Sequence, residues 1–312
     1  MPAGHTRSGA GDPVPRVGVP APLLPDNLFG HLVATAVPGV EEWRDGAYRF
    51  TVRLPGGPGI AALRPPSTTA TGQGPAEVAA TLTLTDPADA ALAVAACRRV
   101  LDLDADPGVV DARLAADPVL EPLVAAAPGR RVPGTADAQA FAVRAVLGQQ
   151  VSTAAARTHA GRLVAAHGDP VEDPGGGLTH LFPTPAALAG IDPDSLALPR
   201  ARRAAVLGLV AALAEGRLDL SPGADPAAAV RALEALPGIG PWTTGTIAMR
   251  ALGDGDAFLP GDLGVRVAAK RLGLPGSPGA LTRRAEPWRP WRAYAVQHLW
   301  ATGDHPVNLM PA

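Results

Sequence analysis

The period of the hydrophobic pattern changes once along this chain, and that change limits it to two units of different class. Tyr48-Arg49-Phe50-Thr51-Val52-Arg53-Leu54 alternates between apolar and polar, as a half-buried strand does. Pro55-Gly56-Gly57-Pro58-Gly59 is a turn signal, Gly59–Leu63 reads as a return strand, and Ala79–Thr85 alternates again. A helix over Leu28–Val40 precedes these strands, and one opened by Asp86-Pro87 follows to about Leu101. Residues 21–105 are therefore expected to form a small α+β unit with an antiparallel sheet.

From Asp106 onward no strand is expected. The predicted helices are Val109–Ala116, Thr135–Gly148, Ser152–His167, Thr184–Ala189, Pro199–Glu215, Asp225–Leu236, Trp242–Leu252, Asp262–Leu272, Ala280–Glu286 and Pro290–Thr302. Ser152, Thr184, Asp225 and Asp262 stand where N-caps are needed. Glycine (36) and proline (35) make up about 23% of the 312 residues, which keeps these helices short. Residues 106–312 thus read as a mostly α unit. Pro174-Gly175-Gly176-Gly177 reads as an exposed connector within it, and residues 1–20 as a disordered tail.

Composition excludes several chemistries. A single cysteine, Cys97, rules out an intramolecular disulfide, a cysteine zinc site and a four-cysteine iron–sulfur cluster in these residues. Lys270 is the only lysine among 27 basic residues, so mechanisms that need an amine have one candidate. No stretch reaches the ~18 apolar residues of a membrane span. No signal peptide is read either, so a cytoplasmic location is expected. The net charge is −2, but residues 237–300 carry eight Lys/Arg against four acids. That asymmetry points weakly to an anionic partner for the later part.

The chemistry concentrates there. Leu236-Pro237-Gly238-Ile239-Gly240-Pro241-Trp242-Thr243-Thr244 places two glycines in a tight turn between two helices. Such a turn aims free main-chain N–H groups and a helix dipole outward, which makes an anion site. Phe258-Leu259-Pro260-Gly261-Asp262 follows, then Trp288-Arg289-Pro290-Trp291-Arg292-Ala293-Tyr294-Ala295 and, nine residues beyond Trp291, Trp300. Upstream stand Arg144-Ala145-Val146-Leu147-Gly148-Gln149-Gln150-Val151-Ser152 and Phe182-Pro183-Thr184-Pro185. Together these motifs resemble the DNA-3-methyladenine glycosylase II family, within the helix-hairpin-helix glycosylase superfamily. The resemblance covers roughly residues 22–302, more loosely in the α+β unit.

The resemblance implies a monofunctional enzyme that flips an alkylated purine out of duplex DNA and cleaves its glycosidic bond with water. Asp262 is then the catalytic carboxylate, beside a sugar that gains positive charge in the transition state. Its plain alternative is an N-cap, and the two roles are compatible. Trp242 and Trp300 form an aromatic base pocket that favours a cationic base by roughly 0.5–2 kcal/mol per contact. Trp288 and Trp291 read as core. Thr246 and Leu263 stand where relatives carry aromatics, and His31 aligns with an aromatic pocket position. Gly238, Gly240, Thr243, Thr244, Gln149 and Gln150 form the expected DNA-binding set, with Gln150 filling the gap left by the flipped base. Main-chain carbonyls of Glu234, Leu236 and Ile239 are the expected ligands of a monovalent cation, and no other cofactor is expected. A monomer is expected, with double-stranded DNA as partner and no membrane. Relatives are sometimes fused to a methyl-accepting domain with zinc-bound cysteines, which these residues lack.

Two other readings compete. A bifunctional glycosylase/lyase needs a Schiff-base amine. Lyase relatives carry it where this chain has Trp242. A non-catalytic helix-hairpin-helix DNA-binding module would need no aspartate at position 262.

Overall fold

The computed structural model describes residues 16–19, 22–66, 76–303 and 305–311. The alternating segments pair into one antiparallel sheet. Its strands are β1 (Arg16–Val19), β2 (Glu41–Arg44), β3 (Ala47–Leu54), β4 (Gly57–Arg64) and β5 (Ala76–Leu84), in spatial order β1-β5-β4-β3-β2. Two strands depart from expectation. Arg16–Val19, expected in a disordered tail, pairs with the edge of β5 from Arg16 opposite Ala79 to Val19 opposite Ala76. An open edge offers main-chain donors and acceptors to almost any sequence, so no side-chain pattern announces such a strand. The remainder of the expected tail lies outside the described residues. β2 was hidden in the same way, although Asp45-Gly46 did signal it. Both residues take positive φ, 52° and 71°, as a two-residue hairpin turn requires.

Two helices cover the sheet. α1 (Asp26–Ala34) ends sooner than the expected Leu28–Val40: Thr35 leaves helical geometry at φ −103°, ψ 3°, and its hydroxyl donates to the His31 carbonyl at 2.8 Å. α2 (Ala90–Val100) follows a short 3₁₀ turn. Leu28, Phe29, Tyr48, Phe50, Leu63 and Cys97 meet in the first of three cores.

The rest is helical: α3 (Pro107–Ala115), α4 (Glu121–Ala126), α5 (Ala138–Leu147), α6 (Thr153–His167), α7 (Pro185–Ala189), α8 (Arg200–Ala214), α9 (Pro226–Glu234), α10 (Pro241–Ala251), α11 (Leu263–Arg271), α12 (Pro278–Arg284) and α13 (Arg292–Trp300). α4 was not expected. Asp169–Pro170 and His180–Leu181 form a two-residue ladder, β6 with β7, where no strand was expected. The loop between them is exposed but is no free connector. Arg44 and Arg49 donate to the carbonyls of Gly175 and Gly176, and Arg49 pairs with Asp173. Thr51 donates to the His180 carbonyl and Arg53 to that of Phe182. The glycines thus fasten the helical unit to the sheet.

α10 sits between the two helical cores. Ile247 enters the one built by α5, α6 and α8, while Ala248 and Met249 enter the one built by α3, α11 and α13. A helix gripped on two sides holds its N-terminal turn in a fixed place, and the candidate site grows from that turn.

Candidate active site

The hairpin is α9, the turn Leu236–Gly240 and α10. Gly238 takes φ +84°, and a Cβ there would lie 2.8 Å from the Ala205 Cβ, so both conformation and packing demand glycine. Gly240 caps α10, and a Cβ on it would point into open space. Pro241 occupies the first helical position, where no N–H is needed. Thr244 N–H already bonds the Gly240 carbonyl, so the donors left for an anion are those of the first turn before it. Thr243 and Thr244, of the expected DNA-binding set, are buried. Gln149, of the same set, is half-buried. Its amide donates to the Gly238 carbonyl and to the Thr243 hydroxyl, both at 3.0 Å, so it braces the turn from α5. Gln150 is exposed and holds φ +55°, which glutamine seldom adopts. Of the carbonyls expected to hold a cation, Leu236 accepts the Ile239 N–H at 3.1 Å and keeps a second lone pair.

The loop from α10 to α11 is anchored by Leu259, which is buried, and by Phe258, whose ring meets Trp288 edge-on at 6.0 Å. Gly245 makes this possible. A Cβ on it would come 2.7 Å from the Leu259 side chain. The anchored loop delivers Asp262 to the start of α11, where its Oδ1 accepts the Val265 N–H at 2.9 Å. Asp262 therefore is an N-cap, as its plain reading held, and it is more than that. The Trp300 indole Nε1–H donates to the same oxygen at 2.8 Å, and the Trp242 indole Nε1–H donates to Oδ2 at 2.8 Å. An ionised carboxyl has about four acceptor sites. Three are taken, and one on Oδ2 stays open.

The two tryptophans thus come together at one carboxylate, from the first turn of α10 and the last residue of α13. Trp242 is 41% exposed, so part of its side chain is free to meet a ligand. Gly264, which the sequence did not single out, lets Trp300 in: a Cβ there would lie 3.0 Å from the indole Cδ1. A glycine inside a helical pattern was the available signal. The other expected pocket residues stand apart. Thr246 is buried and donates to the Trp242 carbonyl at 2.7 Å, supporting that residue from below. Leu263 is 74% exposed beside Asp262.

His31 faces Arg250, which lies two turns beyond Trp242 on α10. Their nitrogens are 2.6 Å apart. Burial, then the Arg250 and Arg144 guanidinium groups, hold its imidazole well below the ordinary histidine value. The ring is thus neutral, with Nε2 accepting from Arg250. Arg250 is itself pushed down to about 9 by burial and by Arg144. Arg144 pairs with Glu41 at 2.8 Å. These groups adjoin an interdomain cavity of about 770 Å³ lined by Glu41, Tyr48, Arg144, Arg250 and Tyr294, among others. Neither Asp262, Trp242 nor Trp300 lines it, so cavity volume does not mark the Asp262 carboxylate. Among the described residues no cluster of three or more His, Cys, Asp or Glu side chains is arranged to hold a metal. No described helix is long and apolar enough to cross a membrane.

This chain is similar to known proteins. Residues 16–137 match the model of the AlkA N-terminal domain. The DNA-3-methyladenine glycosylase 2 of Escherichia coli is 37% identical over 217 residues, 68% of this chain and 72% of that protein. The chain belongs to the AlkA-like DNA glycosylase family. A second family member, described as a probable bifunctional transcriptional activator/DNA repair enzyme AlkA of Mycobacterium tuberculosis, is 56% identical over 296 residues. That match takes in 95% of this chain but only 58% of that protein's length. The family fold is seen again in a 3-methyladenine DNA-glycosylase from Archaeoglobus fulgidus, with a TM-score of 0.76, 20% identity and coverage of 91% of this chain and 97% of that one. The expected α+β unit followed by a helix-hairpin-helix glycosylase unit is thus the fold observed.

Proposed function

We propose that this chain is a monofunctional DNA glycosylase that flips alkylated purines such as 3-methyladenine out of duplex DNA and releases them by hydrolysis. The observation that carries this reading is the Asp262 carboxylate, oriented by the Val265 N–H and two indole N–H groups. Breaking the bond between C1′ and the base nitrogen builds positive charge on the sugar. A fixed carboxylate stabilises that charge without reorganising, and its open Oδ2 position can orient the attacking water. Flipping brings the base to the exposed part of the Trp242 side chain, where a cationic alkylated purine gains a cation–π contact. Gln150 fills the gap left in the stack, and the amides of the hairpin hold the backbone phosphate. A monovalent cation on the carbonyls of Glu234, Leu236 and Ile239 would add positive charge beside that phosphate.

Hydrolysis is favoured over a lyase reaction because Trp242 stands where a lyase amine would stand. Lys270 lies in the last turn of α11, two turns from Asp262. The test is release of 3-methyladenine from alkylated duplex DNA by the wild type and by Asp262→Asn. Asparagine also caps helices and loses only the acceptor for the exposed Trp242 indole N–H, so the variant should fold within about 1–2 kcal/mol of wild type and bind DNA while excision collapses. Wild-type excision unchanged by the substitution would remove Asp262 from the reaction. Binding without excision by both proteins would favour the binding-module reading. An adduct trapped by borohydride would favour the lyase.

A further inference from the structure

We propose that Asn308 is a positioning residue for Trp300, acting from a strap over residues 305–310 that ties the α+β unit to the end of α13. The proposal rests on the role given to Asp262 and Trp300 above. α13 ends at Trp300, and the last carbonyls of a helix lack intrahelical partners. The Asn308 side-chain amide supplies them, donating to the carbonyls of Trp300 at 3.1 Å and Gly303 at 2.9 Å. The Gly303 N–H also donates to the Trp300 carbonyl, at 3.1 Å, so that oxygen is held from two sides.

The strap is itself anchored. Asn308 N–H donates to the His305 carbonyl, which closes a 3₁₀ turn over Pro306–Asn308. Beyond that turn the backbone lies directly on α1. A Cβ on Gly30 would come 2.2 Å from the Leu309 carbonyl oxygen and 2.8 Å from that of Val307. Only a glycine permits that approach, and Gly30 adjoins His31. A continuous set of contacts therefore runs from α1 through the strap and Asn308 to Trp300, whose indole N–H orients Asp262 at 2.8 Å. Trp300 is the one member of the indole pair at a helix C-terminus, where fraying is cheapest. The strap removes that freedom.

Asn308→Asp keeps the shape of the side chain but has no N–H, and Asn308→Ala removes both. Each should lower the single-turnover excision rate about tenfold while DNA affinity holds, because a small displacement of a reacting group is costly to rate. In a Trp300→Phe background, which has no indole N–H, the same changes should lower the rate no further. Gly30→Ala lifts the strap from its other end and should reproduce the loss. A second readout does not need activity. The indole Nε1–H resonance of Trp300, assigned by its disappearance in Trp300→Phe, should shift and exchange faster with solvent in Asn308→Asp, while that of the buried Trp288 stays. An unmoved Trp300 resonance, or an equal rate loss in the Trp300→Phe background, overturns the proposal. A wild type that excises nothing sinks the glycosylase reading alone, and the indole resonance still decides the positioning.

Discussion

At the scale of single residues, Asp262 shows how one side chain serves fold and site together. Its Oδ1 caps α11, and the same cap aims the group at a place between two indoles. The tryptophans therefore have two separable properties, a ring face and an N–H. Phenylalanine keeps the first and loses the second. Trp242→Phe and Trp300→Phe should each slow excision about tenfold or more while DNA affinity changes little. Rate and affinity falling together would mean a folding defect instead. Gln150 offers the opposite kind of test. Its φ of +55° is costly for glutamine and free for glycine. Gln150→Gly should raise thermal stability by roughly 0.5–1 kcal/mol while excision drops, because the stack is left unfilled. A variant that is more stable and equally active would remove Gln150 from the flipping step.

At the scale of elements, the hairpin is not self-supporting. Gln149, from the end of α5, spends its amide on the Gly238 carbonyl and the Thr243 hydroxyl. Gln149→Ala should cost about 1 kcal/mol of stability. It should also weaken binding to undamaged duplex measured at a fixed salt concentration, since the hairpin amides proposed to hold phosphate lose their brace. Unchanged affinity would show that the turn holds its shape alone. α12 and the 3₁₀ turn after it are pinned by Asp117, which accepts from the Trp288 indole at 2.7 Å and pairs with Arg284. That pairing holds the Asp117 carboxyl down at about 2. Trp288, read from sequence as core, is fully buried there. Its ring supports Phe258 and so the loop that carries Asp262.

At the scale of the molecule, the α+β and helical units meet through polar contacts as well as apolar ones. Asp102, just past α2, accepts the Val132 N–H at 3.0 Å and lies beside the Tyr294 side chain of α13. Burial pushes its carboxyl up to about 6. The unfolded chain releases that proton near pH 4 (roughly the free aspartate value), the folded chain only near pH 6. Its contribution to stability is therefore whole below about pH 4 and is lost as pH rises through 6. Asp102→Asn has no such proton, and asparagine suits the φ of +53° at this position. The variant should be more stable than wild type at pH 7, by about 1 kcal/mol, with a smaller difference at pH 4. Urea denaturation at both values checks this, and a difference independent of pH counts against the assignment.

The sequence by itself determined the division into a sheet-bearing unit and a helical one, the hairpin and the family, and it singled out Asp262, Trp242 and Trp300. Those features depend on local pattern: period, turn chemistry, and residue types at fixed spacing. Only the tertiary structure decided what those residues do to one another. Trp242 and Trp300 read as two aromatic surfaces until folding brought their N–H groups to one carboxylate. Gln149, Thr243 and Thr244 read as DNA contacts, and folding also makes the first a brace of the hairpin turn and buries the other two. β1 and the docked glycine loop stayed hidden because main-chain pairing and arginine clamps leave no periodic mark on the partner sequence. A hydrogen bond between residues far apart in the chain is a matter of where three cores place them, and no local pattern encodes that.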